Sequence, residues 1–330
     1  MNAPVFEVTD IPASLWDSAH DHGRDRLPKG KLRLPTRLEQ AYQQVLQDLN
    51  LTAIASVIGD RDSGPIGDQG QAGAHEHFAK RFSGSCGRIQ LFALDPHQTF
   101  KTTRQTLATI FSGGKIRLLD IPLGAGAAAV ELLSLVSQLR TEDETVFPRI
   151  DLDVEIVGGE LNPHAIDISK RLFALLQPWW LENGINASLE STVWNVLDDT
   201  STDELVDLWK QGLGNSVVPA VVGANFSGFL GDTTVQGETR RWIDEAESCL
   251  RRIFVTASRI KATTFWIEPA GTQANVRFLP KLRNQVFAHF PKLNPSLATE
   301  PKSEALMHDP IVHQGEFVTR ATGIHLHPTP

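Results

Sequence analysis

Short apolar runs alternate with longer stretches of helical periodicity from residue 115 to the C-terminus. Five of the runs have the length of a buried strand and cover residues 116–119, 152–158, 188–193, 217–224 and 263–267. Strands that alternate with helices in this way predict an α/β fold with a mostly parallel sheet. The last stretch, 311–326, alternates with period two around Thr322-Gly323, which predicts a closing antiparallel hairpin.

The first 114 residues have a different pattern. Helical stretches are expected at 36–49 and 95–110, and the part at 59–73 is rich in glycine and aspartate. Such a composition predicts a mobile loop that can act as a lid or contact a substrate. We therefore divide the chain into a mainly helical N-terminal region, 1–114, and an α/β domain, 115–330.

An acid and a turn of small residues follow the first strand of this domain. Asp120 ends the apolar run, and Gly124 and Gly126 lie two residues apart. A stretch of strong helix-forming residues begins at Ala125. Such turns bind ligands because the helix N-terminus presents free N–H groups and glycine allows close approach. With Ala129 the spacing fits the G-x-G-x-x-A pattern of dinucleotide binding. An acid before the turn favours S-adenosylmethionine, whose ammonium it can hold directly or through water.

Candidate cofactor residues also follow the next two predicted strands. Glu160 stands where the second strand meets its loop, and a carboxylate there can accept hydrogen bonds from two ribose hydroxyls. Leu161 comes next and is assigned to the same cofactor site. Trp194 and Asn195 follow the third strand, where Trp194 can stack on the adenine and Asn195 can contact its edge. Ordinary packing is the alternative for Trp194.

The loop after the fourth strand is expected to face the transferred group. Asn225, Phe226 and Ser227 are the candidates for substrate binding there, and Asn225 is also assigned to the cofactor site. Asn225 can be likened to the Asn-Pro-Pro-Tyr motif of amino-methylating enzymes, although both prolines are absent. Since no cysteine stands in this loop, the sequence argues against covalent attack on a pyrimidine ring. No residue is assigned as catalytic.

Composition and charge narrow the class of protein. The 330 residues are 41% hydrophobic and carry a formal charge of −8, which argues against nucleic-acid binding without excluding it. Cys86 and Cys249 cannot build a disulfide framework, which indicates a reducing, cytoplasmic setting. The alternating histidines at 20–22 and 75–77 lack further ligands nearby, so we expect no metal site. We also expect no secretory signal and no membrane span.

One basic cluster precedes the first predicted helix. Its members are Arg24, Arg26, Lys29, Lys31, Arg33 and Arg37. Solvation at the surface is the ordinary explanation for such a cluster, and contact with a phosphate-bearing partner such as RNA is the alternative.

From about Lys115 onward the chain resembles the class I S-adenosylmethionine-dependent methyltransferases. Residues 120–126 are similar to the first motif of that superfamily, 158–165 to the second and 220–230 to the fourth. The resemblance implies a Rossmann-like sheet that ends in an antiparallel hairpin, with S-adenosylmethionine as the cofactor. Pro122 stands where the first glycine of the turn is expected, and it keeps the path tight but removes an N–H.

A narrower resemblance involves the fifth strand. The segment 266–272, Trp-Ile-Glu-Pro-Ala-Gly-Thr, with Arg-Phe-Leu at 277–279, is similar to the small-ribosomal-subunit methyltransferase-like family, and so is Arg-Leu-Pro at 33–35. That family has a cysteine cluster after this point, which this chain lacks. The resemblance therefore implies only the methyltransferase domain and a role related to RNA or the ribosome.

Three functions follow from these observations. The first is a methyltransferase with an RNA, protein or small-molecule acceptor. The second is a non-catalytic, methyltransferase-like binding or assembly protein. The third is an NAD(P)-dependent oxidoreductase, which the glycine spacing supports and the closing hairpin does not.

Overall fold

A computed structural model of the chain describes residues 6–21, 23, 27–57, 70–144, 147–226, 233–235, 238–240, 242–271, 279–289, 294–295, 301–312 and 315–327. Its helices are α1 (Thr36–Asp48), α2 (Thr52–Ala55), α3 (Gln71–Leu94), α4 (Lys101–Ile110), α5 (Ala127–Glu142), α6 (Pro163–Glu182), α7 (Asp199–Gln211), α8 (Trp242–Glu245), α9 (Glu247–Arg259) and α10 (Leu279–His289). Its strands are β1 (Trp16–Asp17), β2 (Lys31–Leu32), β3 (Gly114–Ile121), β4 (Leu152–Glu160), β5 (Ile185–Val193), β6 (Val217–Ala224), β7 (Thr233–Val235), β8 (Glu238–Arg240), β9 (Thr263–Pro269), β10 (Asn294–Pro295), β11 (Lys302–His308) and β12 (Glu316–His327).

A mixed, ten-stranded sheet forms the centre of the described structure. Its order is β1-β2-β11-β12-β9-β6-β3-β4-β5, and β10 pairs with β12. The strands β5, β4, β3, β6 and β9 are adjacent in this order and run parallel to one another. The last strand, β12, lies antiparallel between β9 and β11. The predicted α/β class is therefore confirmed, with a mixed sheet and helices.

Helices cover both faces of the sheet, which explains why its central strands β3, β6 and β9 are buried along most of their length. Neighbouring residues of β3 enter different cores: Leu118 packs in the core that includes α1, α3, α5 and α6, and Leu119 in the core that includes α7, α9 and α10. Val222 and Val221 of β6 divide in the same way. This arrangement buries the strands and leaves their carboxyl ends at one edge, where loops can form a site.

The sequence analysis assigned no helix to residues 74–94, where the structure forms most of α3. The centre of this helix is the buried run Ser83-Gly84-Ser85-Cys86-Gly87, whose small residues have modest helix propensity and hide the usual apolar periodicity. They allow close packing, since a Cβ on Gly87 would lie 2.2 Å from Met307 Sδ. As a result α3 packs tightly against α5 and the closing hairpin.

The closing hairpin turns at a different place from the predicted one. Residues 309–315 join β11 to β12, and Thr322-Gly323 lies inside β12. Asp309 begins the turn, because its Oδ1 accepts hydrogen bonds from the N–H groups of Ile311 and Val312 at 2.9 and 3.1 Å. Gly323 serves close packing instead, since a Cβ there would lie 2.3 Å from the Trp266 carbonyl oxygen.

Other predicted boundaries also need correction. Asp95 ends α3 in the left-handed conformation, with φ 47°, so the next helix begins at Lys101. Residues 238–259, whose amphipathic pattern predicts one long helix, contain β8, α8 and α9. Three residues of the predicted loop, 71–73, already belong to α3, whereas 59–69 lie outside the described residues.

The N-terminal region contributes to the central sheet through β1 and β2. β2 pairs with β11 in parallel, and β1 pairs with β2. A domain boundary at residue 114 stays a prediction. Among the described residues, no helix combines the length and the apolar character that crossing a membrane requires.

Candidate functional site

The glycine turn connects β3 to α5 at the carboxyl edge of the sheet. Pro122 opens it after a cis peptide bond, and Gly124 and Gly126 have positive φ angles of 53° and 82°, which favour glycine. A Cβ on Gly126 would lie 3.2 Å from Ser169 Cβ, so this glycine lets α5 approach α6 closely. A Cβ on Gly124 would meet no described heavy atom within 4 Å. A ligand can therefore approach the backbone at Gly124.

Asp120 lies beneath the turn and is fully buried. Its Oδ2 accepts a hydrogen bond from the Ala129 N–H in the first turn of α5 at 3.1 Å. Burial, with a smaller contribution from the nearby Glu160, raises the pKa of Asp120 to about 8, against the opposing effect of that hydrogen bond. Oδ1 has no hydrogen-bond partner within the described part of the chain. At neutral pH Asp120 is therefore mostly protonated in this structure.

Glu160 comes from the neighbouring strand and contacts the turn directly. Asp120 pairs with Gly158 across the parallel strands, so Glu160 extends two residues further toward the edge. Its Oε2 accepts from the Gly124 N–H at 2.8 Å, and its Oε1 accepts from the Asn162 N–H at 3.0 Å. Burial raises the pKa of Glu160, although these N–H groups favour the charged form. The carboxylate is thus fixed beside the open glycine.

Exposed apolar residues occur next to Glu160 and in the loop after β5. Leu161 is 38% exposed, Val193 is 54% exposed, and Leu197 is 38% exposed. The sheet register pairs Val193 with Glu160, and Leu161 follows Glu160 directly. Leu161 was predicted to belong to the cofactor site, whereas no signal in the sequence marks Val193 or Leu197. Leu161 and Val193 therefore offer exposed apolar surface beside Glu160, which suits a flat, apolar ligand.

Trp194 and Asn195 have structural partners within the protein. Trp194 is buried, and its Nε1 donates to Thr202 Oγ1 at 2.9 Å. Asn195 Oδ1 accepts from the Leu197 N–H at 3.0 Å, which shapes the loop after β5. The surroundings of Trp194 are therefore those that ordinary packing predicts. Contact of Trp194 or Asn195 with adenine stays a prediction.

The end of β6 carries the predicted substrate-side residues. Asn225 has a φ of 63°, and its Oδ1 accepts from Arg88 Nε at 2.7 Å. Phe226 is buried, and its N–H donates to Glu268 Oε1 at 3.0 Å. Ser227 lies outside the described residues, so its assignment stays a prediction. Among the described substrate-side candidates, Asn225 is therefore the one whose polar side chain is held by a residue from another part of the chain, Arg88.

Sequence reasoning missed the two residues that position this loop. Arg88 lies on α3, is 137 residues away from Asn225 in sequence and is almost fully buried. Glu268, at the end of β9, accepts from both the Phe226 N–H and Trp266 Nε1, the latter at 2.8 Å. A charged residue within the small and mostly apolar second half of α3, residues 82–94, was the available signal for Arg88.

Two other predicted features occur outside this edge. Three described members of the N-terminal basic cluster lie near acids: Lys29 with Asp21 at 2.8 Å, Lys31 with Glu316 at 2.9 Å and Arg33 with Asp17 at 3.9 Å. The fourth, Arg37, donates to Gln40 Oε1 at 3.4 Å. Arg24 and Arg26 lie outside the described residues, and a role of this cluster in RNA binding stays a prediction. Cys86 and Cys249 are free and buried. In the part of the chain that the structure describes, no three potential metal ligands group together.

Comparisons with known proteins give weak similarities. No family model and no curated protein matches the chain. A candidate RNA methyltransferase from Pyrococcus horikoshii has a TM-score of 0.32 and 10% identity, over 71% of this chain and 85% of its own. The phosphofructokinase of Pichia pastoris in the T-state has a TM-score of 0.35 and 12% identity, over 89% of this chain and 99% of its own. At such scores neither similarity decides the function.

Proposed function

We propose that the chain is an S-adenosylmethionine-dependent methyltransferase whose cofactor binds at the carboxyl ends of β3 and β4. The observation that carries this proposal is the 2.8 Å hydrogen bond from the Gly124 N–H to Glu160 Oε2. It holds a carboxylate suited to a ribose diol against the open side of a glycine turn. The antiparallel position of β12 between β9 and β11 agrees with the closing hairpin that the methyltransferase resemblance implied.

The residues at this edge fit the chemical parts of the cofactor. A carboxylate has about four acceptor positions, so Glu160 can bind ribose hydroxyls in addition to its two backbone N–H groups. Leu161 and Val193 offer exposed apolar surface to the base. Asp120 Oδ1 is buried without a described partner, and a water molecule can link it to the cofactor ammonium. A cation nearby would favour the ionised carboxylate and lower its pKa.

The protein's contribution to such a reaction is mainly orientation. When bound, the cofactor supplies an electrophilic methyl group on a sulfonium. The surrounding residues would align donor and acceptor for in-line displacement and exclude water. Asn225 stands on the acceptor side, with its amide oriented by Arg88. A general base is needed only where the acceptor keeps its proton, and we assign none.

A non-catalytic cofactor-binding or partner-binding protein is the second candidate. Pro122 removes one N–H from the turn, and the burial of Asp120 leaves it without direct access to a ligand. An NAD(P)-dependent oxidoreductase would use the same turn and the same acid. The residues of the cofactor site do not distinguish between RNA, protein and small-molecule acceptors.

Calorimetric titration with S-adenosylhomocysteine tests the proposal, with NAD and NADP titrated in parallel. We expect the wild type to bind the thioether and Glu160→Gln to bind it at least about ten-fold more weakly, because a charge-assisted hydrogen bond contributes about 1.5–3 kcal/mol. Asp153→Asn is a matched control, since Asp153 lies near the other end of β4. Absence of binding, or equal loss in both variants, would contradict the proposal.

A further inference from the structure

The outward face of α6 is apolar, although its inward face already packs in the core. Leu175 is 46% exposed and Leu181 is 61% exposed, and Ala174 and Pro178 are exposed on the same helix. At about 100° per residue these four side chains lie within roughly 120° of one another, and we call them the α6 outer stripe. Leu176 points away from them and is buried. A helix that is apolar on both faces is normally covered on both.

This stripe lies at one end of the central sheet. Within the described residues, β5 ends the strand order and pairs with β4 alone, and α6 packs against β5. Near the middle of α6, Gln177 Nε2 donates to the Ala187 carbonyl of β5 at 3.0 Å. A side chain that bonds the backbone of an edge strand hinders pairing with a further strand there. The surface that this end of the sheet offers to a partner is therefore the helix.

Charges of opposite sign lie at the two ends of the stripe. Arg171 precedes it and Glu182 follows it, and both residues are exposed. They lie at equal distances on either side of the midpoint between residues 176 and 177. A second α6 that lies antiparallel about this midpoint places Leu175 opposite Pro178 and each Arg171 opposite a Glu182. A parallel copy would place like charges together, so the stripe is complementary to itself in one direction.

We infer that the α6 outer stripe binds the same stripe of a second copy of this chain, in an antiparallel, two-fold symmetric homodimer. A two-fold interface uses one self-complementary patch on both subunits, which is what the charges of α6 provide. The 20 residues of α6 extend over about 30 Å. The apolar side chains form the centre of such a contact, and the charged residues form its rim. The inference goes beyond the proposed function and does not require the cofactor.

The same geometry leaves the cofactor site open. The Asn162 side chain caps the start of α6, and its N–H donates to Glu160 Oε1 at 3.0 Å. The proposed cofactor residues therefore lie beside one end of the helix. Two antiparallel copies carry their cofactor sites at opposite ends of the dimer, so dimer formation does not cover them.

Analytical ultracentrifugation of the full chain from about 1 μM to about 1 mM tests the contact. We expect the mass to rise with concentration from 36.3 kDa toward twice that value. Leu175→Glu should raise the dissociation constant at least about ten-fold, because it places two like charges near the two-fold axis. Val57→Glu is the matched control: Val57 is 61% exposed and lies outside α6, so the wild-type constant should be kept. Thermal unfolding of each variant checks that it is folded.

A charge exchange tests the antiparallel register. Arg171→Glu should weaken the dimer about ten-fold, because both copies then place acids together, and the double variant Arg171→Glu/Glu182→Arg should restore it to within about three-fold. A single-chain mass at every concentration, equal weakening by Leu175→Glu and Val57→Glu, or a folded double variant without restored affinity overturns the inference. S-adenosylhomocysteine titrated into wild type and Leu175→Glu should bind equally, and absence of binding to both would contradict the cofactor proposal alone.

Discussion

Replacement of Asp120 by asparagine should abolish part of the pH dependence of folding. Asp120 is buried, and its pKa in the folded chain is about 8 against an ordinary value of 3.8. Between these two values the unfolded chain has lost the proton and the folded chain has kept it. Because the folded state then binds more protons, the free energy of unfolding falls as pH rises.

The size of this effect follows from the two pKa values. Each pH unit inside the window corresponds to about 1.4 kcal/mol, so between pH 5 and 7 Asp120 lowers the free energy of unfolding by about 2.5 kcal/mol. Asparagine keeps the shape and can still accept from the Ala129 N–H, but it does not titrate. Any cost of burying its amide is the same at every pH and cancels in the difference between two pH values.

Urea unfolding followed by tryptophan fluorescence at pH 5, 6 and 7 measures this difference. The wild type should lose about 2.5 kcal/mol more than Asp120→Asn between pH 5 and 7. Asp153→Asn, a substitution of a partly exposed acid on β4, should keep the wild-type profile. Parallel profiles of wild type and Asp120→Asn would refute the conclusion that a neutral carboxyl lies under the turn.

Three further predictions concern the same edge. Gly126→Ala should lower the free energy of unfolding, measured in urea, by roughly 1–3 kcal/mol, because its positive φ and the contact with Ser169 both oppose a side chain. Gly124→Ala should lower this free energy less, yet it should weaken S-adenosylhomocysteine binding. Trp194→Phe should lose the Thr202 hydrogen bond and lower the free energy of unfolding by about 1 kcal/mol in the same assay. The affinity for S-adenosylhomocysteine should not change, and a fall in this affinity would indicate that Trp194 stacks on the adenine. Affinity measured by calorimetry should rise from pH 6 to 8, up to about ten-fold per unit, because an ammonium favours ionised Asp120; a flat profile would contradict the link.

The core of the candidate site was predictable because it depends on local sequence and on one topological rule. Strand, glycine turn and helix are contiguous, so Asp120, Gly124 and Gly126 could be assigned together. Parallel strands end at the same edge, which brought Glu160 and Asn225 to the same side without knowledge of side-chain contacts. The hydrogen bond between Gly124 and Glu160 is a geometric detail of that arrangement.

Features that depend on distant packing could not be predicted. Arg88 contacts Asn225 across 137 residues, and its helix is buried on several sides, so no apolar stripe marks it. The directions of Val193 and Trp194 depend on which side of β5 faces the core, and the sequence does not show that Val193 is the more exposed of the two. Gly323 resembled a turn residue because a sequence does not show that Trp266 lies against it.

The most direct test of the cofactor proposal is a crystal structure of the chain grown with saturating S-adenosylhomocysteine. The proposal predicts ligand density at the glycine turn, with the ribose hydroxyls hydrogen-bonded to Glu160 and the base beside Leu161 and Val193. Density at another place, or an unchanged turn without ligand under saturating conditions, would contradict it.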